Sequence, residues 1–132
     1  MIKGLGHLGL FVTNIEESIS ALSKIVQFEK PAFKESQKMG MKAAVVDLGG
    51  IQLEFIQDYT GEGPVAQMLK DRGDMIHHFC LLTDNIEKDI ETLKQRGVEM
   101  KDQQPRVGLR GKKIAMTLPS ALNGITIELS EP

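Results

Sequence analysis

The chain has 132 residues, of which 41% are hydrophobic and 26% charged, a composition typical of a soluble globular protein with one sizeable core. A net charge of −2 gives no reason to expect nucleic acid or a membrane surface as a partner. The single cysteine, Cys80, excludes an intrachain disulfide and a cysteine zinc cluster. No apolar stretch is long enough to cross a bilayer and the N-terminus lacks the pattern of a secretory signal, so we expect a cytoplasmic protein.

The first sixty residues predict a strand, a helix and three more strands. Residues 5–12 alternate between two faces, as a strand does. Apolar residues then recur at helical spacing from Ile15, and Thr13 or Asn14 can cap the start of that helix. Further strands are expected at residues 32–38, 42–48 and 51–56, the last two joined by a Gly-Gly turn.

The same order of elements returns in the second half of the chain. Residues 57–73 contain a loop and a short helix around residues 65–69. A strand at 76–82 and a helix at 86–95 follow, then an irregular segment at 103–110 and strands at 113–117 and 124–129. We therefore predict a single domain made of module one (about residues 1–60), a connection (61–73) and module two (about 74–132).

The two modules also repeat in sequence. HLGLFVTNIEESI, starting at His7, aligns with HFCLLTDNIEKDI, starting at His78. IQLEF, which contains Glu54, aligns with ITIEL, which contains Glu128. Each module thus opens with a histidine strand and closes with a glutamate strand.

Repeat-equivalent positions of two modules related by a pseudo-twofold axis converge on that axis, which would bring these four side chains together. Two imidazoles and two carboxylates suit a divalent transition metal and leave positions for water or a chelating substrate. The alternative is that Glu54 and Glu128 are solvent-facing positions of half-exposed strands. His77 alternates onto the face opposite His78, which predicts packing, a contact behind the ligands, or solvent; Cys80 is predicted to be a small core residue.

A positive run follows in module two, comprising Arg106, Arg110, Lys112 and Lys113. Such a run is commonly a solvated face. The alternative is a group of side chains that bind substrate phosphates, for which Arg110, Lys112 and Lys113 are the candidates.

The two βαβββ modules and the His, Glu, His, Glu quartet resemble the vicinal oxygen chelate superfamily of glyoxalases and bleomycin resistance proteins, over essentially the whole chain. Module two is most similar to methylmalonyl-CoA epimerases, in RGDMIHHFCLLTDNIEKDIETLKQRGV and PRVGLRGKKIAMTLPSALNGITIEL. The segment GPVAQML, residues 63–69, also resembles those epimerases. The resemblance implies an α+β fold in which two tandem βαβββ modules form a curved mixed sheet around a metal cleft, and it implies a homodimer.

By this resemblance the metal ligands are His7, Glu54, His78 and Glu128, and the cofactor is a divalent ion such as Co, Ni, Mn, Fe or Zn. Bacterial glyoxalase I carries the same quartet, so the ligands do not separate the two activities. Glyoxalases usually have a short Asp-Pro-Asp-Gly type turn before the last ligand, where this chain has LPSALNG. That turn favours the epimerases.

The sequence departs from the epimerases at one position. They carry a second catalytic glutamate, and counting back from Glu54 through Gly40 places Gln37 or Lys38 there, neither of which is a carboxylate. Our hypothesis is that Glu128 moves a proton on one side of the substrate and Glu35 or Gln37 faces the other side, in which case Glu35→Gln abolishes turnover.

The sequence therefore predicts a metal-dependent isomerase that removes a proton next to the carbonyl of an acyl-CoA thioester such as methylmalonyl-CoA. The first alternative is a lactoylglutathione lyase of the glyoxalase I type, which acts on a hemithioacetal. The second is a protein like the bleomycin resistance proteins, which binds a small molecule without chemistry.

Overall fold

The computed structural model describes all residues from Met1 to Pro132. Each module has the order strand, helix, strand, strand, strand, and one further helix lies between the modules. The predicted α+β class with tandem βαβββ modules is confirmed. The elements are β1 (Ile2–Phe11), α1 (Ile15–Ser23), β2 (Ala32–Ser36), β3 (Met41–Leu48), β4 (Ile51–Asp58), α2 (Gly63–Arg72), β5 (Met75–Thr83), α3 (Ile86–Gln95), β6 (Arg106–Val107), β7 (Lys113–Met116), a 3-10 turn (Pro119–Leu122) and β8 (Thr126–Ser130).

The largest differences from the predicted element bounds are at β1, α2 and β6. β1 begins at Ile2 rather than at residue 5, and α2 covers ten residues where the sequence indicated a helix around residues 65–69. β6 lies inside the segment predicted to be irregular, because a strand of two residues is too short to show any periodicity. None of the helices has the length and apolar run needed to span a bilayer.

The chain divides into two compact units, which we call the 8–76 unit and the 77–132 unit; the latter also contains residues 1–7. β1 contributes to both. In the 8–76 unit the strands hydrogen-bond in the order β2-β3-β4-β1, and in the 77–132 unit in the order β1-β5-β8-β7-β6. β5 and β8 are parallel, whereas β7 pairs antiparallel with both β6 and β8.

One face of the sheet in the 8–76 unit is covered by α1. The core there consists of Val12, Ile15, Ala44, Val46 and Phe55, and Ala44 lies directly opposite Phe55 on the neighbouring strand. Successive residues of a strand point to opposite faces. Glu54, which lies opposite Val45, is therefore on the face away from α1.

The 77–132 unit repeats this arrangement with α3. Its core is formed by Ile86, Ile90, Met100, Ala115 and Leu129, with Ala115 opposite Leu129. The neighbours of Leu129 along β8 therefore point away from α3, and one of them is Glu128. Each module thus uses one face of its strands for the hydrophobic core and places its glutamate on the other.

Each helix that covers a sheet is preceded by an asparagine that caps its first turn. Oδ1 of Asn14 accepts a hydrogen bond of 3.0 Å from the backbone N–H of Glu17, and Oδ1 of Asn85 accepts one of 3.1 Å from Lys88. Of the two predicted caps of α1, Asn14 is therefore the one that is formed. Thr13 instead donates from its backbone N–H and hydroxyl to Asp74, at 3.0 and 3.1 Å.

Candidate metal centre

Three predicted ligands converge on one point in the 77–132 unit. Nε2 of His7 lies 3.4 Å from Nε2 of His78 and 3.4 Å from Oε1 of Glu128. Nε2 of His78 lies 3.6 Å from Oε2 of the same carboxylate. All three side chains are buried, with 4%, 1% and 6% of their surface exposed.

Strand register brings these side chains together. In the parallel pair β5 and β8, His78 lies opposite Thr126, and Cys80 lies opposite Glu128. Residues two apart on a strand share a face. His78 and Cys80 therefore point to the same side of the sheet as Glu128, away from the core under α3, and His7 reaches that side from β1.

Both histidines are neutral at physiological pH. Burial, and then the positive charge of Arg110, lower the pKa of His7 from 6.5 to about 4. Burial, and then the neighbouring His77 and His7, lower the pKa of His78 to about 3. A neutral imidazole has one nitrogen with a free lone pair, which is the form that binds a metal ion.

The donor set and its spacing fit a divalent transition metal. Nitrogen and oxygen atoms that share one first-row metal ion at about 2.1 Å lie about 3 to 4 Å from one another, and the spacings between these atoms fall in that range. Two neutral imidazoles and one carboxylate suit zinc and its first-row neighbours. Burial of the carboxylate also favours a compensating positive charge at this point.

Cys80 is a side chain whose position the sequence did not indicate. It is fully buried, as a small core residue would be. Its Sγ, a ring nitrogen of His7 and a carboxylate oxygen of Glu128 all lie within 4.8 Å of one another. Cys80 follows His78 by two residues on the same strand, so its position beside the ligands could have been predicted from the alternation of the strand.

Two further contacts are made from behind the histidines. Nδ1 of His78 lies 2.9 Å from Nδ1 of His77, and the two rings are nearly perpendicular, at 82°. Nη1 of Arg110 lies 3.4 Å from Nδ1 of His7. The first contact agrees with one of the alternatives predicted for His77, and the second brings one member of the positive run to the cluster.

The fourth predicted ligand, Glu54, belongs to the 8–76 unit. It is buried, with 5% of its surface exposed, and it points away from α1. It lies opposite Val45 on the preceding strand, as Glu128 lies opposite Met116. Its place within its own module is thus equivalent to that of Glu128, and its role as a ligand stays a prediction.

The strand register separates Glu35 from the face that carries Glu54. Glu35 lies opposite Lys42, which lies opposite Gln57, and paired residues share a face. Gln57 accepts a hydrogen bond from the first N–H of α1, at Ile15, so this row of side chains is on the α1 side. Glu35 is exposed there, with Oε2 3.5 Å from the hydroxyl of Tyr59.

The other candidates from the sequence lie apart from the cluster or at the surface. Gln37 is exposed in the turn after β2, where its carbonyl accepts a hydrogen bond from Gly40. Lys112 is exposed, and its carbonyl accepts a hydrogen bond from Gly108. Lys113 forms an ion pair of 2.8 Å with Glu87 of α3, on the face away from the histidines. The prediction that Lys113 binds substrate at this site is therefore not supported by its position.

Comparison with known proteins shows the family. Residues 6–116 match the glyoxalase/bleomycin resistance protein/dioxygenase superfamily. This match covers well over half of the chain. The chain belongs to this superfamily, as the two modules and the quartet indicated.

Similar proteins include an uncharacterized bacterial protein and methylmalonyl-CoA epimerases. An uncharacterized protein of Bacillus subtilis (strain 168), YqjC, is 32% identical over 97% of this chain and 91% of its own length. The mitochondrial methylmalonyl-CoA epimerase of Dictyostelium discoideum is 26% identical over 98% of this chain and 79% of its own. A solved methylmalonyl-CoA epimerase in complex with methylmalonyl-CoA and NH4+ shares the fold, with a TM-score of 0.90 and 20% identity over 99% of this chain and 95% of that one.

Proposed function

We propose that the protein is a metal-dependent isomerase that removes and returns a proton next to the carbonyl of an acyl-CoA thioester. The observation that carries this proposal is the convergence of His7, His78 and Glu128 at spacings that suit one metal ion. We propose these three residues, together with Glu54, as its ligands. The ion would be one of Co, Ni, Mn, Fe and Zn, since all accept nitrogen and oxygen ligands.

Glu128 is the side chain suited to move the proton. Its two oxygens face different histidines, Oε1 towards His7 and Oε2 towards His78, so one can bind the ion while the other accepts a proton. The C–H bond next to the carbonyl breaks, the proton passes to Glu128, and the electron pair moves into the carbonyl group. When bound, the divalent ion supplies a Lewis acid that stabilises this developing negative charge.

The choice of an acyl-CoA substrate follows from the relatives and from Arg110. Methylmalonyl-CoA epimerases align with nearly the whole of this chain, so methylmalonyl-CoA is the first substrate to test. Of the positive run, Arg110 lies beside the cluster, 3.4 Å from His7. We assign to it the binding of an anionic group of the substrate, since a guanidinium binds carboxylates and phosphates with paired hydrogen bonds.

Exchange of the substrate proton with solvent tests this proposal. The metal-loaded protein is incubated with methylmalonyl-CoA in D2O, and deuterium next to the carbonyl is measured by mass spectrometry. We expect incorporation by the wild type and by the control variant Glu131→Gln, and a loss of at least about 100-fold in Glu128→Gln. Metal content is measured for each variant, because Glu128 is also a proposed ligand.

Two other results would overturn the acyl-CoA assignment. Conversion of the hemithioacetal of methylglyoxal and glutathione, with no deuterium exchange on the thioester, would assign the lyase activity instead. Metal binding without either reaction would contradict an enzymatic role with these substrates.

A further inference from the structure

The three histidines of this chain form a row of contacts that ends at Arg110. In order, the contacts are Arg110 Nη1 to His7 Nδ1 (3.4 Å), His7 Nε2 to His78 Nε2 (3.4 Å), and His78 Nδ1 to His77 Nδ1 (2.9 Å). All of these residues belong to the 77–132 unit with its residues 1–7. The contacts at Arg110 and at His77 bear on where the ring protons of His7 and His78 lie.

Arg110 fixes the first proton because a guanidinium donates hydrogen bonds and accepts none. Nδ1 of His7 therefore accepts at this contact, which leaves the ring proton of His7 on Nε2. That N–H lies 3.4 Å from Nε2 of His78 and 3.4 Å from Oε1 of Glu128, and either atom can accept it. The form of His78 is set instead at its other nitrogen, Nδ1, which lies 2.9 Å from Nδ1 of His77.

We propose that His77 is a positioning residue that holds His78 in the form able to bind a metal ion. Nδ1 of His77 accepts the N–H of His78 at 2.9 Å, so Nε2 of His78 keeps its lone pair towards His7 and Glu128. Histidines that bind metals usually donate their other N–H to a carboxylate, a carbonyl or water. In this chain the imidazole of His77 is the acceptor of that N–H.

His77 also restricts the ring of His78 in orientation. The two rings are nearly perpendicular, with centroids 5.1 Å apart, and His78 is almost fully buried while His77 is half-buried. Rotation of the His78 ring would break the contact between the two Nδ1 atoms. The proposal rests on the metal site proposed above and is independent of the reaction catalysed there.

The position of each proton can be measured directly by NMR. Two-bond proton–nitrogen spectra of 15N-labelled protein distinguish the two neutral forms of each histidine, and the chain has only three. In the metal-free wild type we expect His78 to carry its proton on Nδ1 and His7 on Nε2. A proton on Nε2 of His78 would overturn the proposal without any variant being made.

Variants of His77 then test its effect on metal binding, measured with Zn2+ alone against a chelating indicator. His77→Leu removes the acceptor, and we expect Zn2+ affinity to fall 10–100-fold with loss of the single His78 form. His77→Asn supplies an oxygen near the position of Nδ1 and should restore affinity to within about threefold. Unchanged affinity in His77→Leu would contradict the proposal.

The two proposals fail in different ways. A proton found on Nδ1 of His78, with no deuterium exchange into the substrate, would overturn the proposed reaction and leave the role of His77 intact. Exchange that depends on Glu128, found together with a proton on Nε2 of metal-free His78, would overturn the role of His77 and leave the proposed reaction intact.

Discussion

Nε2 of His7 lies 3.4 Å from Oε1 of Glu128, although the two residues are 121 positions apart in the chain (128 − 7). The contact joins the first strand to the last one. His78 completes the group from β5, at 3.4 Å from His7. Neutral imidazoles and a buried carboxylate at these spacings are the physical basis of the proposed metal site.

The stability of the metal-free protein should fall as pH falls below 6.5. The folded-state pKa values of His7 and His78 are lowered to about 4 and about 3, so below 6.5 the unfolded chain binds protons that the folded protein excludes. Each histidine contributes about 1.4 kcal/mol per pH unit in this window. We expect the free energy of unfolding to drop by about 2 to 3 kcal/mol between pH 7 and 5.5, measured by urea denaturation with a chelator present.

The variant His78→Gln is the control for this pH dependence. With one of the two buried histidines removed, the drop between pH 7 and 5.5 should be about half as large. Most carboxylates stay ionised above pH 5, so they contribute little in this window. A pH-independent stability of the metal-free wild type would contradict the burial of neutral histidines.

Arg110→Ala should strengthen metal binding. While Arg110 donates to Nδ1 of His7, the proton of His7 lies on Nε2, where a metal ion would bind. Removing the guanidinium also removes a positive charge beside the site. We expect Zn2+ affinity to rise about tenfold, measured by chelator competition.

Lys112→Ala provides the matched control for Arg110, since Lys112 is an exposed cation two positions along the chain. It should leave Zn2+ affinity unchanged within about twofold. Weaker binding in Arg110→Ala would show that Arg110 supports the site rather than competing with the metal.

Glu35→Gln should keep its deuterium exchange activity within about twofold of the wild type. The pairing of Glu35 with Lys42 and Gln57 places this carboxylate on the α1 side of the sheet, opposite to the face of Glu54. Because Glu35 is exposed and its contact with Tyr59 is 3.5 Å long, the stability should change by less than about 0.5 kcal/mol. Loss of exchange in a folded Glu35→Gln protein would restore Glu35 as the second proton donor.

Removing either of the two asparagine helix caps should lower the stability of the protein by the same amount. Asn14→Ala and Asn85→Ala each leave an N–H at the start of a helix without its side-chain acceptor, at Glu17 and Lys88. We expect each substitution to lower the free energy of unfolding by about 1 kcal/mol in urea denaturation. Thr13→Val, beside the first cap, removes only the 3.1 Å hydroxyl contact with the side chain of Asp74 and leaves the cap in place, so it should cost less stability than Asn14→Ala.

The sequence predicted the modules and the histidine and glutamate positions because both depend on local periodicity and on an internal repeat. The repeat aligned His7 with His78 and Glu54 with Glu128, and it needed no knowledge of strand pairing. The bounds of α3 were predicted to the residue, since Asn85 and Gly97 mark both of its ends.

The remaining features depend on contacts that are distant in sequence or on strand register. Arg110 reaches His7 across 103 positions, and no local pattern predicts such a contact. The face of Glu35 follows from its pairing with Lys42, whereas counting back from Glu54 gives only a place in the chain. Lys113 belongs to a positive run in sequence, but its strand points it at Glu87.

The most direct test of the metal site is a titration of the metal-free protein with Zn2+ or Co2+ by calorimetry, for the wild type and for His7→Ala, His78→Ala and Glu128→Gln. The wild type should bind one equivalent, each variant should bind at least about 100-fold more weakly, and the control Glu131→Gln should match the wild type. One equivalent bound with unchanged affinity by all three variants would contradict the assignment of these residues as ligands.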